Sequence, residues 1–189
     1  ALKFIRQLIS ENKILLIVGT KIQVKDLVKN MARELTLPYV IERWLGGTFT
    51  NFEAIKKRVE YFKDLETKKK KGELEKYTKK ERAKFDQELS DLEIKFGGIK
   101  DLLRLPDAIL VLDMKNEDLA VKEARMKGIK VIAISHSNTD PTLADYPIPA
   151  NDAAISSVKY ILDKIREAIL SERPSPLKQG EVAAEAKPR

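Results

Sequence analysis

The sequence predicts an α/β fold: a three-layer α/β/α sandwich on a parallel sheet, interrupted by an inserted pair of antiparallel helices. Short runs of aliphatic and β-branched residues alternate with amphipathic segments, as expected for parallel strands covered by helices on both faces. This alternation stops near Asn51 and resumes at Pro106. The segment between them is lysine-rich and carries two narrow apolar seams, which is typical of two helices packed together.

The N-terminal part of the chain is predicted to form helix, strand, helix and strand. Apolar residues recur at helical spacing over residues 2–11 and 22–35, so each segment is expected to bury one helix face. The run at 13–18 is almost entirely apolar and predicts a buried strand. A shorter strand is predicted at 39–41, just before the alternating pattern stops.

The C-terminal half returns to the alternation. The runs that predict strands lie at 107–113, 131–135 and 146–149. The last of these contains two prolines, which cannot donate to a ladder, so it is expected at the edge of the sheet. Helices are predicted over 117–127 and from a cap at Asn151 or Asp152 to about Leu170. Together these elements give a sheet of four or five strands.

The inserted segment, residues 52–96, has the pattern of an antiparallel coiled-coil hairpin. Its two seams have a/d spacing and consist of Phe52, Ile55, Val59 and Phe62, and then Phe85, Leu89, Leu92 and Phe96. Thr78 followed by Glu81 is a capping-box pattern and predicts the start of the second helix. The tip of the hairpin is therefore expected near residues 67–77.

These elements divide the chain into a core domain, an insertion and a tail. The core domain is predicted to comprise residues 1–51 and 97–170, with the hairpin at 52–96 between its two parts. Residues 171–189 are polar and rich in Ala, Glu, Lys and Pro, so we expect a disordered tail. Because the first residues already have a helical pattern and no initiator Met, we also expect the native chain to extend upstream.

The positive charge of the chain is concentrated in the insertion. The net charge is +7 and the pI about 9.4. Residues 56–84 hold 13 Lys and Arg against 6 Asp and Glu, so this segment accounts for the whole excess. Clustered positive charge is typical of proteins that bind a polyanion such as nucleic acid. The alternative is that these are ordinary solvated charges that keep the chain soluble.

Composition and motifs give little support to catalysis. The chain lacks cysteine, so disulfides, thiol catalysis and thiolate metal sites are excluded. No apolar run approaches the ~20 residues that span a bilayer, so no membrane partner is expected. Gly19-Thr20-Lys21 follows the first strand but lacks the longer glycine-rich phosphate loop. The single histidine, His136, has only Asp140 and Asp145 as irregularly spaced potential co-ligands, so no metal or cofactor is predicted.

The residues around Trp44 form the most distinctive motif. Arg43 can bind phosphate, and Trp44 can stack on a ligand or brace the base of the hairpin on the core. Gly46-Gly47 lets the backbone approach another surface closely. The residues that we expect at a phosphate-binding site are Arg43, Trp44, Lys56, Lys57, Arg58, Lys68, Lys69, Lys70, Lys71, Lys76, Lys79, Lys80 and Arg82, with Lys100 and Arg104 as secondary candidates.

These motifs resemble a known family. The segment Arg43-Trp44-Leu45-Gly46-Gly47-Thr48 with Thr50-Asn51, and the block from Pro106 to Ile129, closely resemble the two signatures of the bacterial-type small ribosomal subunit protein two family. Gly97-Gly98-Ile99-Lys100-Asp101, Asn138-Thr139-Asp140-Pro141 and Ile148-Pro149-Ala150-Asn151-Asp152 match further stretches. The chain departs from the family in the absence of about 50 N-terminal residues, at Leu103-Arg104, at Lys130, at His136 and at Ala150.

The resemblance implies a flavodoxin-like core with an inserted coiled-coil hairpin. It also implies a structural, non-enzymatic role on the small ribosomal subunit in translation. The implied partners are small-subunit ribosomal RNA and neighbouring small-subunit proteins, including the large OB-fold-repeat protein that recruits messenger RNA. The implied location is the ribosome, in the cytoplasm or in an organelle of bacterial origin. On this basis the basic residues above are expected to bind RNA, and no cofactor is expected.

Two other classes of function remain open on sequence grounds. The first is an α/β enzyme that handles a nucleotide or sugar phosphate, with Gly19-Thr20-Lys21 and His136 lining a pocket at the strand ends. The second is an adaptor outside the ribosome that binds another protein through the coiled coil.

Overall fold

A computed structural model of the chain describes residues 1–172 and contains a five-stranded parallel sheet. The strand order is β2-β1-β3-β4-β5, and each neighbouring pair is parallel. In chain order the strands are Leu15–Val18, Tyr39–Val40, Ala108–Val111, Lys130–Ser135 and Tyr146–Pro149. The predicted α/β architecture is thus confirmed, and β5, with its two prolines, forms one edge of the sheet as expected.

Six α-helices and two short 3₁₀ helices accompany the sheet in these residues. The α-helices, α1 to α6, are Leu2–Ser10, Lys25–Glu34, Phe52–Lys70, Lys79–Phe96, Asp118–Met126 and Ile155–Glu172. The 3₁₀ helices are Gly97–Ile99 and Pro141–Leu143. None of the helices in residues 1–172 is both long and apolar enough to cross a bilayer.

Each central strand contributes side chains to two separate cores, which explains its continuous apolar sequence. In β1, Leu15 and Ile17 pack with α1, α2 and α6, whereas Leu16 and Val18 pack with α5 and the α3–α4 pair. All four residues are fully buried. Because both faces of the sheet are covered, the strands lack the polar alternation of a half-exposed sheet.

The start of the last helix differs from the prediction. α6 begins at Ile155, three or four residues after the predicted cap at Asp152 or Asn151. The side chain of Asn151 accepts a hydrogen bond from the backbone N–H of Ala153 at 2.9 Å, which closes a local turn before the helix. The predicted cap at Asn151 or Asp152 was therefore wrong. α6 also continues to Glu172, beyond the predicted core boundary at residue 170, and the rest of the predicted tail lies outside the described residues.

The two long helices predicted for residues 52–96 are present and begin as the sequence predicts. Thr78 Oγ1 accepts a hydrogen bond from the backbone N–H of Glu81 at 3.4 Å, and the Glu81 carboxylate accepts one from the Thr78 backbone N–H at 3.0 Å. This is the predicted capping box. The apolar residues that the pair buries are Val59, Phe62, Leu65, Leu89, Leu92 and Phe96, all in the same core cluster as α5.

The chain returns from α4 by passing very close to the edge strand β2. A Cβ atom on Gly98 would lie 2.1 Å from the carbonyl oxygen of Tyr39, so only glycine fits at this position. The 3₁₀ turn that contains Gly98 thus packs against β2 at the edge of the sheet opposite β5. Covering an edge strand in this way protects its unpaired backbone groups from other chains.

Substitution of Gly98 by Ala is expected to lower the free energy of unfolding by roughly 1–3 kcal/mol, because the added methyl group must displace backbone atoms of β2. The measurement is equilibrium unfolding in urea. Gly46→Ala is the matched control, since a Cβ there would meet only a Leu119 methyl group at 3.7 Å. Equal stability of the two variants would contradict the close packing described here.

Candidate functional site

The loop that connects β2 to α3 is organised by one buried carboxylate. Glu123 of α5 is 4% exposed and accepts five hydrogen bonds from this loop, residues 43–51. The donors are the Trp44 indole at 3.3 Å, the backbone N–H groups of Gly47, Phe49 and Thr50 at 2.7, 2.9 and 3.1 Å, and the Thr50 hydroxyl at 3.2 Å. The 43–51 loop thus obtains from a side chain the hydrogen bonds that a strand would obtain from its neighbours.

The shape of the 43–51 loop follows from this arrangement. Gly47 has a φ angle of +90°, which a residue with a side chain rarely adopts. The Trp44 ring is 6% exposed and packs edge-to-face on Phe49, with ring centroids 4.8 Å apart. Of the two roles expected for Trp44, this geometry favours bracing, because stacking on a ligand would require the ring to leave the core. Arg43 beside it is exposed.

Glu123 is a site residue that sequence reasoning missed. Burial disfavours its charged form, but the hydrogen bonds from Phe49, Thr50, Gly47 and Trp44 outweigh burial and hold the pKa of Glu123 below its usual value. The carboxylate therefore stays ionised inside the protein. A weak signal was available, since Glu123 follows Ala120 by three residues and so lies beside the buried face of α5.

The structure separates the predicted basic residues into two groups. Five of them already form ion pairs on the surface: Lys68 with Asp64, Lys69 with Asp86, Lys70 and Lys100 with Glu66, and Arg104 with Asp107. The others form no ion pair with any residue in 1–172, and these are Arg43, Lys56, Lys57, Arg58, Lys71, Lys76, Lys79, Lys80 and Arg82. The second group has no carboxylate partner in these residues, although the Lys76 ammonium lies 5.4 Å from the centre of the Tyr77 ring.

The unpaired residues fall into two clusters along the chain. The base cluster consists of Arg43, Lys56, Lys57 and Arg58. Arg43 is exposed at the start of the 43–51 loop, and the other three residues lie within the first two turns of α3. The tip cluster, Lys71, Lys76, Lys79, Lys80 and Arg82, runs from the end of α3 through the connection into α4. All five residues of the tip cluster are exposed.

Two lysines of the tip cluster are placed against the electrostatic preference of a helix. Lys79 and Lys80 occupy the first turn of α4, where the helix dipole is positive and a cation is unfavourable. In contrast, Lys68, Lys69 and Lys70 lie in the last turn of α3, where cations are favourable. Local helix stability therefore explains Lys68, Lys69 and Lys70 but not Lys79 and Lys80.

The strand ends that bind nucleotides in other α/β proteins are filled here by side chains. The Lys21 ammonium lies 2.7 Å from Asp113 and 3.4 Å from Asp152 at the junction of β1 and β3. Burial disfavours the charge on Lys21, but the two carboxylates outweigh it and raise its pKa. Next to them, Glu117 accepts hydrogen bonds from the backbone N–H and hydroxyl of Thr20. Within the described part of the chain, this crevice has no space for a water-sized ligand.

His136 and its neighbours are occupied with local turns. His136 Nδ1 lies 3.2 Å from the side-chain oxygens of both Ser137 and Asn138. Asp140 accepts hydrogen bonds from Thr142, and Asp145 pairs with Lys130 at 2.7 Å. Residues 1–172 contain no group of three His, Asp or Glu side chains placed to hold a metal ion.

Substitution of Glu123 by Gln is expected to lower the free energy of unfolding by roughly 2–3 kcal/mol at neutral pH, because the new amide group must face N–H donors. Since the folded-state pKa of Glu123 is depressed, its stabilisation is complete above the unfolded pKa of about 4.3 and is lost as pH falls through the folded pKa. The difference between wild type and variant should therefore shrink below that pH. The measurement is the free energy of unfolding of both proteins in urea from about pH 3 to about pH 7, a range that brackets the ordinary pKa of Glu.

Glu117→Gln is the matched control on the same helix, since Glu117 is equally buried. Burial raises the pKa of Glu117, with the nearby Asp113 charge acting in the same direction. Both bonds from Thr20 go to the same Glu117 oxygen, so a Gln carbonyl can accept them. We expect this variant to be as stable as wild type or more stable at neutral pH. A loss equal to that of Glu123→Gln would refute the special role of Glu123.

Comparison with known proteins agrees with the resemblance seen in the motifs. The family model of Ribosomal protein S2 matches residues 1–172. The chain is 40% identical over 185 residues to the small ribosomal subunit protein uS2 of Coprothermobacter proteolyticus, which covers 98% of this chain and 68% of that protein. For the uS2 protein of Fusobacterium nucleatum the identity is 48% over 166 residues, which covers 87% and 67%.

A third relative gives the same result. The uS2 protein of Roseiflexus castenholzii is 44% identical over 173 residues, which covers 92% of this chain and 66% of that protein. The chain thus spans about two thirds of the length of the curated relatives it matches. Since the family model covers the whole described region and the identities extend over most of the chain, the chain belongs to the ribosomal protein S2 family.

Proposed function

We propose that this chain is a structural, non-enzymatic constituent of the small ribosomal subunit that binds small-subunit ribosomal RNA through the base and tip clusters. Its family membership supports the structural role. The observation that carries RNA binding is the concentration of unpaired, exposed cations on the α3–α4 pair, two of them at an unfavourable helix terminus. Contacts of this kind are made to phosphates and depend strongly on salt concentration.

The α3–α4 pair is suited to be an arm that carries these charges. We propose that residues 52–96 form an antiparallel coiled-coil hairpin inserted between the two parts of a core domain, residues 1–51 and 97–170. Lys69 near the end of α3 pairs with Asp86 near the start of α4 at 2.7 Å, as expected for antiparallel helices. Tyr77 and Phe85 pack edge-to-face beside the connection, with centroids 5.3 Å apart, which supports an ordered tip.

The base cluster would bind RNA where the arm meets the core. Arg43 is held at this position by the 43–51 loop, which Glu123 fixes to α5. A guanidinium group can contact phosphate in a bidentate manner, and its fixed loop lowers the entropy cost of binding. Trp44 supports this site by packing in the core, so its contribution to RNA binding would be indirect.

Direct RNA contact is less well supported for the five basic residues that form ion pairs within the protein. The Lys100 ammonium, besides its pair with Glu66, lies 4.9 Å from the centre of the Phe62 ring, which is a structural role. Surface ion pairs are worth only about 0–1 kcal/mol, so Lys68, Lys69, Lys70 and Arg104 can exchange a carboxylate for a phosphate at small cost. We therefore place them second to the unpaired residues.

The further partners that we propose follow from the family. They are the neighbouring proteins of the small subunit, including the large OB-fold-repeat protein that recruits messenger RNA. The corresponding location is the ribosome, either in the bacterial cytoplasm or in an organelle of bacterial origin. The alternative of a phosphate-handling enzyme is disfavoured by the filled crevice at Lys21, Asp113 and Asp152.

The triple variant Lys76→Gln, Lys80→Gln, Arg82→Gln is expected to weaken binding to small-subunit ribosomal RNA and to reduce its salt dependence. The slope of log K against log salt is negative, and each lost phosphate contact should make it less steep by about 0.7–0.9, so three contacts give a change of about 2–3. The measurement is filter binding to a full-length transcript of the Fusobacterium nucleatum small-subunit RNA over a range of salt concentrations.

The control is Lys3→Gln, Arg6→Gln, Lys159→Gln, which removes the same two lysines and one arginine from α1 and α6. These three residues are exposed and form no ion pair within residues 1–172. The helices that carry them cover the other face of the sheet. If the tip variant binds no more weakly than this control, the tip cluster is only solvated charge.

A further inference from the structure

The exposed face of α5 carries a second group of basic residues, which the sequence analysis did not single out. The exposed charged residues on or beside this helix are Lys115, Asp118, Lys122, Arg125 and Lys127. Lys122 pairs with Asp118 at 2.6 Å. The remaining three cations form no ion pair with any residue that the structure describes. We call Lys115, Lys122, Arg125 and Lys127 the α5 face.

The helix is basic on its surface because its other two carboxylates point inward. Glu117 is bound by Thr20 and Glu123 by the 43–51 loop, and both are almost fully buried. Counted over its sequence, this segment is nearly balanced in charge, but the surface that a partner meets has four cations and one anion. Asp140 is near enough to Arg125 for the two charges to interact, but the carboxylate is hydrogen bonded to Thr142.

Helix stability explains only part of this arrangement. Arg125 and Lys127 lie at the C-terminal end of α5, where cations are favourable. Lys115 lies before the N-terminus, where a cation is unfavourable. The face also includes Met126, which is 75% exposed, and Leu119, which is 43% exposed. These two side chains add apolar contact area among the cations.

The α5 face is continuous with the 43–51 loop. Glu123 of α5 holds that loop, and Leu119 packs beside Gly46, whose Cβ position is 3.7 Å from a Leu119 methyl group. Helical geometry places Lys122 and Met126 on the same side as Leu119, at intervals of three and four residues. A polyanion that follows the 43–51 loop past Gly46 would therefore reach the side of α5 that carries Leu119, Lys122 and Met126.

We propose that the α5 face binds the backbone of the same RNA and extends the contact surface of the base cluster across the core. This inference rests on the proposed function, since the continuity with Arg43 favours RNA over an acidic protein as the partner. The contacts are electrostatic, through phosphates, with Met126 and Leu119 against the sugars. Contacts from Lys115, Lys122, Arg125 and Lys127 to phosphates would fix the position and orientation of the RNA on the protein. They would not distinguish one base from another.

The test compares three triple variants of the full chain, each of which replaces two lysines and one arginine by glutamine. They are the α5 variant Lys115→Gln, Arg125→Gln, Lys127→Gln, the tip variant and the α1/α6 control described above. Binding to the same RNA transcript is measured over a range of salt concentrations, and far-UV circular dichroism verifies that each variant is folded. The α5 variant is expected to bind about tenfold more weakly than the control, with a salt slope smaller by about 2.

The outcomes separate this inference from the proposed function. If the tip variant is weakened but the α5 variant matches the control, the α5 face does not bind RNA and the proposed function stands. If neither variant differs from the control, both proposals fail. A photo-crosslinking amino acid at Met126, in ribosomes assembled with the variant chain, provides the second measurement. Crosslinks to RNA support the inference, and crosslinks to a protein alone overturn it.

Discussion

The buried carboxylate of Glu123 is the interaction on which the rest of the molecule depends. The 43–51 loop has no neighbouring strand, so without this side chain the buried N–H group of Phe49 and the partly buried N–H groups of Gly47 and Thr50 would lose their partner. By accepting them, Glu123 fixes the direction in which the chain leaves the core and enters α3. It also joins three elements that matter for the proposed interface: Arg43, the start of the α3–α4 pair, and α5. A single ionised carboxylate thus accepts the backbone hydrogen bonds that a neighbouring strand would accept in a sheet.

Much of the fold could be predicted because it depends on local patterns. Continuous apolar runs identified the strands, helical spacing identified the helices, and the Thr78–Glu81 pair identified the start of α4. The start of α6 was mispredicted because Asn151 can either cap a helix or close a turn, and both use the same side-chain oxygen. Even there the predicted first residue of the helix was wrong by only two or three positions.

The candidate site was harder to predict because its key contacts are long-range. Glu123 is separated from its partners in the 43–51 loop by more than 70 residues, and no spacing rule connects them. Likewise, the sequence could identify a lysine-rich segment but not which lysines were already neutralised. The distinction between Lys69, paired with Asp86, and Lys80, unpaired within the described region, required the packing of α3 on α4. The same holds for Lys21, whose pairing with Asp113 and Asp152 fills the crevice that would hold a phosphate, so the fold alone would have suggested the wrong function.

Along the chain, the α3–α4 pair separates β1 from β3, which are neighbours in the sheet, and this affects how the chain folds. Ile14 and Asp107, which are hydrogen bonded where these two strands begin, are 93 residues apart, so pairing them requires the closure of a long loop. The contacts within the α3–α4 pair are much closer in sequence and can form first. In the antiparallel hairpin that we propose for residues 52–96, the two ends of the pair come together, which would roughly halve the length of flexible chain to be closed. Each halving reduces the entropy cost of loop closure by about 0.6 kcal/mol, so the proposed hairpin would also assist the closure of the central sheet.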